Sequence, residues 1–317
     1  MKLALIIPCY NAAAYLSTLL PVLAEWLGRN TADRELLFVD SSSKDGTADL
    51  LTAANLGRVL SVNSADFDHG GTRAWAVEQV SAEVVVLMTQ DALPTSADAI
   101  DRLVAAFVNP KVGAAFGRQL PYEQCHLFGK HLRYFNYTAQ SYVRALSDSP
   151  RVGIKTAFLS NSFAAYRRSA LLDIGNFKNG LILGEDSYAG GRLLLAGYEL
   201  AYVAEAQVYH SHSYTIWQEF KRYFDIGVFH AMEPWLLTTF GKPEGEGLRY
   251  VKSEFDYLRK QAAWQLLPQF FVRNTMKWLG YKLGKQHKRL PLRFLPMLSM
   301  HYRWWSGSSS PCYNSGA

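Results

Sequence analysis

Two acidic clusters carry the residue types most suited to chemistry, Thr89-Gln90-Asp91 and Leu183-Gly184-Glu185-Asp186. Asp91 closes an apolar run, Glu83 to Met88, that leads into a Pro-containing turn. Asp186 stands where a Gly-containing turn enters a segment of helical pattern. Carboxylates delivered at the ends of separate elements can divide the work. One can hold a divalent cation and the other can accept a proton. A cation is useful where a diphosphate leaves, because it neutralises the growing negative charge. The plain alternative is a helix N-cap for Asp186 and a turn former for Asp91.

The elements that must position these groups are legible as runs and periods. Residues 2–7, 35–40, 58–62 and 83–88 are short apolar runs, and helical patterns occupy 12–27, 46–55 and 71–80 between them. Apolar strands alternating with amphipathic helices predict an α/β fold with a mainly parallel sheet flanked by helices. Ligands on such sheets gather at the carboxyl ends of the strands. Pro8-Cys9-Tyr10-Asn11, Asp40-Ser41-Ser42-Ser43 and Thr89-Gln90-Asp91 all fall at those ends. Beyond residue 110 the pattern loosens. Residues 120–155 are expected to form a loop and helix insertion on the substrate side. A strand is expected at 158–166, helices at 167–174 and 185–196, and a strand at 199–204. From 215 the pattern is helical, broken at Glu233-Pro234 and at a Gly-rich linker or turn, 241–247. Ser306 to Ala317 read as a flexible tail. The expected division is therefore 1–215 for the α/β domain and 216–317 for a helical C-terminal extension.

Composition bounds the class. Of 317 residues, 49% are apolar and 19% charged, which is ordinary for a globular protein with a sizeable core. Cys9, Cys125 and Cys312 lack Cys-x-x-Cys spacing, which argues against a disulfide framework or zinc site and fits a reducing compartment. The apolar start is too short for a signal peptide, and no run of about 20 apolar residues predicts a spanning helix. Charge is uneven. Residues 249–305 hold 12 Lys and Arg against 2 Asp and Glu, interleaved with aromatics such as Trp264, Phe271 and Trp278. That pattern suits an anionic membrane surface. Nucleic acid is not expected as a partner, because no matching module is present.

Taken together, Ile6-Ile7-Pro8-Cys9-Tyr10-Asn11, Phe38-Val39-Asp40 with Asp45-Gly46-Thr47, Thr89-Gln90-Asp91, Gly184-Glu185-Asp186 and the late His210 or His212 resemble the inverting, nucleotide-sugar-dependent glycosyltransferases of family 2, which have a GT-A fold. The likeness spans about residues 1–215. Phe67-Asp68-His69-Gly70-Gly71-Thr72-Arg73 and Tyr209-His210-Ser211-His212 are similar to segments of the bacterial rhamnosyltransferases that build O-antigens and related polysaccharides.

The resemblance implies roles residue by residue. Asp186 is the general base, and Glu185 contacts the acceptor or caps the turn. Pro8, Tyr10 and Asn11 border the nucleotide base, and Asp40 accepts from its imide N–H. His69, Gly70, Arg73 and Gln90 complete the nucleotide-sugar site, with Arg73 facing the diphosphate. Asp91 and His210 hold a divalent cation, Mg²⁺ or Mn²⁺. His210 and His212 are expected to face opposite sides of an extended segment, so that only one, preferably His210, reaches the metal. Thr89 replaces the family's first metal-motif carboxylate, so Asp91 is expected to carry the cation largely alone among side chains, helped by the donor's phosphates and a histidine. Arg167 and Arg168 either shape the acceptor side or form salt bridges. The implied reaction moves L-rhamnose from dTDP-L-rhamnose to a lipid-diphosphate-linked glycan, on a cytoplasmic enzyme peripheral to the inner face of the membrane. Transfer from a UDP-linked sugar, and nucleotide-sugar binding without turnover, remain the alternatives.

Overall fold

The computed structural model describes residues 1–29, 33–241 and 244–306. Cys312, the rest of the tail from 307 onward and residues 242–243 of the expected linker lie outside the described residues. The first half alternates strand and helix: β1 (Leu3–Cys9), α1 (Ala13–Arg29), β2 (Arg34–Asp40), α2 (Thr47–Ala54), β3 (Arg58–Ser61), α3 (His69–Glu78) and β4 (Val84–Met88). Then come β5 (Leu93–Pro94), α4 (Asp98–Val104), β6 (Val112–Leu120), α5 (Leu127–Asn136), β7 (Tyr142–Arg144), α6 (Ser149–Val152), β8 (Phe163–Arg167), α7 (Arg168–Asp173), α8 (Glu185–Leu195) and β9 (Glu199–Tyr209). Helices α9 (Ile216–Met232), α10 (Pro234–Phe240), α11 (Glu244–Lys260), α12 (Leu267–Lys285) and α13 (Leu295–Leu298) follow.

The nine strands among the described residues join one sheet in the order β3-β2-β1-β4-β8-β6-β9-β5, with β7 also on β9. The β3-β2-β1-β4 part is parallel, and β8 runs antiparallel to both β4 and β6. Successive side chains point to opposite faces of a strand. Ala4, Ile6, Leu37, Val39, Val85 and Leu87 therefore enter one core, with α3, α8 and α9. Leu5, Ile7, Leu36, Phe38, Val84 and Val86 enter the other, with α1, α2 and α4. A sheet buried on both faces is why these strands read as unbroken apolar runs.

Several boundaries differ from expectation. The segment expected as a strand at 158–166 is a strand only from Phe163, because β4 ends opposite Phe163 and the polar Ser160-Asn161-Ser162 forms a turn. Strand β9 runs on to Tyr209, with a register shift between the pairs Gly117–Val203 and Arg118–Gln207 that hides its period. The Gly-rich stretch is not all linker, since α11 begins at Glu244. The helices after 215 share the main core through Phe224, Val228, Phe229, Leu236 and Phe240, and Leu295 and Trp305 also enter it. Helices α9 and α12 meet backbone to backbone. A Cβ at Gly284 would stand 2.0 Å from the Phe224 carbonyl oxygen, and one at Gly227 2.3 Å from that of Tyr281. Only glycine permits that approach.

Candidate active site

Strand direction gathers the site at one edge of the sheet. The carboxyl ends of β1, β2, β4, β6 and β9 lie there, together with the start of the antiparallel β8. The order reverses between β1 and β4, which opens a crevice of the kind where ligands settle on such sheets. Two cavities occupy this edge. One of about 360 Å³ is bordered by Pro8, Tyr10, Ser41, Phe67, Gln90 and Arg303. The other, of about 560 Å³, is bordered by Asn161, Asp186, Arg222 and Tyr137 among others. His69, Arg73, Thr89 and Asp91 line both, so the two spaces meet at Asp91.

Asp91 faces two imidazoles. His210 Nε2 lies 3.4 Å and His212 Nε2 3.8 Å from its Oδ2, and one ligand atom from each of the three residues lies within 4.8 Å of the others. The expectation that only one histidine reaches this point is corrected. Residues two apart on an extended chain share a face, and past the end of β9 both rings turn to Asp91. Burial lowers the pKa of both imidazoles, that of His212 to about 4, and so keeps them neutral. For Asp91 burial acts the other way, and only a protonated His210, donating from Nε2, would outweigh it and pull the carboxyl below its usual range.

The tautomer of His210 follows from its neighbours. Gln119 Nε2 donates to Ser160 Oγ at 2.9 Å, and Gln119 Oε1 accepts from the buried Arg133 guanidinium, which can only donate. The same Oε1 lies 2.8 Å from His210 Nδ1, so Nδ1 carries the hydrogen. Nε2 then presents a lone pair toward Asp91. A carboxylate and two imidazole nitrogens converging in this way fit a divalent cation, and a second hydrogen-bonded group orienting the histidine is usual at such sites. Neither Gln119 nor Arg133 carries a sequence signal that would have marked it.

The second carboxylate pair is divided by one arginine. Arg73 Nη1 lies 3.1 Å from Glu185 Oε1, with both side chains buried. Burial alone would raise the Glu185 pKa, but Arg73 and then His69 pull it down. Asp186 has no such partner among the described residues. Burial first, and the adjacent Glu185 charge second, raise its pKa to about 7. Asp186 Oδ2 accepts from the Asn161 backbone N–H at 3.2 Å, and Glu185 Oε1 accepts from Asn161 Nδ2 at 3.1 Å. Asp186 remains in the wall of the larger cavity, where a carboxylate of this kind can take a proton from a hydroxyl.

The other expected residues fall as follows. Gln90 clasps the Tyr10 backbone, accepting from its N–H at 2.7 Å and donating to its carbonyl at 3.0 Å, so it positions the turn after β1. Asn11 accepts from Lys44 N at 3.0 Å and fastens the loop after β2. The Asp40 carboxylate is buried and accepts from Ser43 N and Oγ, which is the local turn. Gly70 faces protein and not the cleft, since a Cβ there would stand 1.8 Å from the Lys178 carbonyl oxygen. His69 packs edge-on between Phe67 and His301. Arg73 is held by Glu185 and by the His69 carbonyl, while its Nε has no hydrogen-bond partner among the described residues. Arg167 and Arg168 bind backbone carbonyls of Phe107, Asn109 and Val77 and border neither cavity.

Comparisons with known proteins agree with this arrangement. Residues 4–175 match the family model Glycosyl transferase family 2. The chain is 42% identical over 307 residues to the O-antigen chain rhamnosyltransferase RfbN of Salmonella typhimurium, covering 96% of each chain. It is 39% identical to the O-antigen chain rhamnosyltransferase WbaN of Salmonella anatum, covering 95% of each. In fold it is similar to the mannosyltransferase PcManGT of Pyrobaculum calidifontis, solved with GDP-Man and Mn²⁺, at a TM-score of 0.60, 16% identity and coverage of 90% and 86%. It is also similar to residues 1–349 of S. aureus TarS, at 0.58, 17% identity and coverage of 100% and 92%.

The buried pair generates a test. Glu185→Ala leaves the Arg73 guanidinium buried without a counter-charge, a loss of about 3–5 kcal/mol. Urea unfolding of the ligand-free protein should show that drop. An unchanged midpoint would mean that Glu185 acts on substrate alone.

Proposed function

We propose that this chain, which belongs to glycosyl transferase family 2, moves L-rhamnose from dTDP-L-rhamnose to a hydroxyl of a glycan carried on a lipid diphosphate, with inversion. The observation that carries the reading is the meeting of two cavities at Asp91, with Asp186 in the wall of one and a nucleotide-sized cleft forming the other. The sugar identity rests on the two curated relatives, both O-antigen chain rhamnosyltransferases.

The donor's base lies against the β1 turn that Gln90 holds, and its diphosphate points toward Asp91. The acceptor enters the larger cavity. Its hydroxyl oxygen attacks the anomeric carbon as the bond to the β-phosphate oxygen breaks. The hydroxyl proton passes to Asp186, and the nucleoside diphosphate departs with the bonding pair. General-base assistance of this kind is worth about 10²–10⁴-fold. Asp91, His210 and His212 would hold the cation, which supplies charge neutralisation on the leaving diphosphate. One oxygen and two nitrogen ligands suit Mn²⁺ better than Mg²⁺, which prefers oxygen and keeps its waters. Oxygens of the nucleotide would supply further ligands.

The region after 215 we read as peripheral to an anionic cytoplasmic membrane face. No helix among the described residues is long and apolar enough to cross a membrane. Trp264, Phe271 and Trp278 are more than half exposed, and Lys285, Lys288 and Arg289 lie exposed nearby in the chain. Aromatics inserted at a surface with basic residues around them add apolar and electrostatic attraction, the latter about 1 kcal/mol per basic residue.

Activity should fall as pH drops through about 7, because protonated Asp186 cannot accept the hydroxyl proton. Asp186→Asn should lower turnover by at least a hundredfold and flatten that acidic limb, within the general-base range of about 10²–10⁴. Retention of the limb in the variant would reassign it. In a donor screen that follows nucleoside diphosphate release, dTDP-L-rhamnose should be consumed, EDTA should silence the reaction and Mn²⁺ should restore it. Consumption of a UDP-hexose only would replace the donor, and release from none would favour binding without turnover. Replacing Trp264, Phe271 and Trp278 together by Ser should weaken sedimentation with anionic liposomes. Equal sedimentation would remove the membrane reading.

A further inference from the structure

Residues 299–305, just before the last described residue, Ser306, belong to the end of the molecule that carries the candidate site. Met300 N donates to Asp225 Oδ2 at 2.8 Å, and His301 packs edge-on against His69 with ring centroids 5.1 Å apart. Beyond the intervening pair, Trp304 Nε1 donates to the Gly180 carbonyl at 3.2 Å, and the buried Trp305 packs against Phe224, His287 and Trp304. Fastened on both sides, Tyr302 and Arg303 are held in place, and Arg303 borders the smaller cavity together with Pro8, Tyr10 and Asp91.

Charge bookkeeping at this cleft is uneven. A nucleoside diphosphate brings at least two negative charges. Arg73, the cation that the sequence pattern places at the phosphates, has its charge matched by Glu185 at 3.1 Å. Arg303 forms no ion pair among the described residues. Its Nε donates to the Tyr302 hydroxyl at 3.2 Å, and the Tyr10 hydroxyl lies beside the same guanidinium. Both are neutral. A guanidinium held by hydroxyls keeps its full charge and most of its donors, and planar forked donors suit phosphate oxygens.

We propose that Arg303 binds the phosphates of the nucleoside diphosphate and closes the donor site from the C-terminal side. The inference rests on the donor reading above and adds a residue that lies far in sequence from every motif supporting it. It also means that the C-terminal region completes the active site, whatever it does at a membrane.

Calorimetry with dTDP and UDP in the presence of Mn²⁺ tests this on the full chain. Arg303→Ala should weaken binding of the preferred diphosphate about tenfold or more, the usual scale for a charge-assisted hydrogen bond. The urea midpoint should not move, since the side chain is exposed, and Arg303→Lys should recover part of the affinity. A loss below about threefold overturns the proposal. So does a loss in both variants that accompanies a lower urea midpoint, because the role would then be structural. If the wild-type chain binds neither diphosphate, the donor reading itself fails, and this inference with it.

Discussion

One buried guanidinium pairs with only one of two adjacent carboxylates, and the chemistry of the site depends on that inequality. Glu185 and Asp186 follow each other in the first turn of α8, and Arg73 reaches only Glu185. The paired carboxylate stays charged, and its charge adds to burial in raising the other. Pushing two neighbouring groups apart in pKa is a general way to obtain a base that works near neutral pH. Asn161 holds the division by donating its side chain to Glu185 and its backbone N–H to Asp186. Since Arg73 sits on α3 and Asn161 precedes β8, three elements distant in sequence set the state of Asp186.

A similar economy governs Asp91. Thr89 supplies no charge where the family pattern has a carboxylate, and the neighbouring strand end compensates with two imidazoles. Burial keeps both rings neutral, and the chain Arg133–Gln119–His210 turns a lone pair toward Asp91. Neutral nitrogen ligands add less negative charge than a second carboxylate would. A cation held here would therefore meet modest charge from the protein, and a bound nucleotide would have to contribute.

The helices after 215 are part of this machinery. Helix α9 crosses α12 so closely that glycines are required on both, and the pair carries Arg222 into the wall of the larger cavity. Between α9, α11 and α12 lies a buried charged cluster in which Lys277 approaches Glu219 and Glu254 while Arg273 pairs with Glu219. Isolated buried charges are costly, so such a cluster holds these helices in one arrangement. The outward face of α12 remains aromatic, with Phe271 and Trp278 one heptad apart and both exposed.

The sequence by itself determined the α/β frame and the edge at which the site lies. Apolar runs buried on both faces, with helical periods between them, are one-dimensional signals, and Pro8 to Asn11, Asp40 and Asp91 end such runs. Strand β6 was not legible, because Val112-Gly113-Ala114-Ala115 offers small side chains with little strand preference. The position of β9 beyond 204 was lost where the register shifts. Only tertiary structure decided the partners. That Arg73 would meet Glu185 and leave Asp186 alone, that His212 would join His210, that Gln90 would clasp Tyr10, and that Arg303 would return to the cleft all depend on side chains that are distant in sequence or separated by a turn. Their charges and lone pairs carry no periodicity along the chain. What fixes them is the direction of each strand in the sheet and the low dielectric of the space in which they meet.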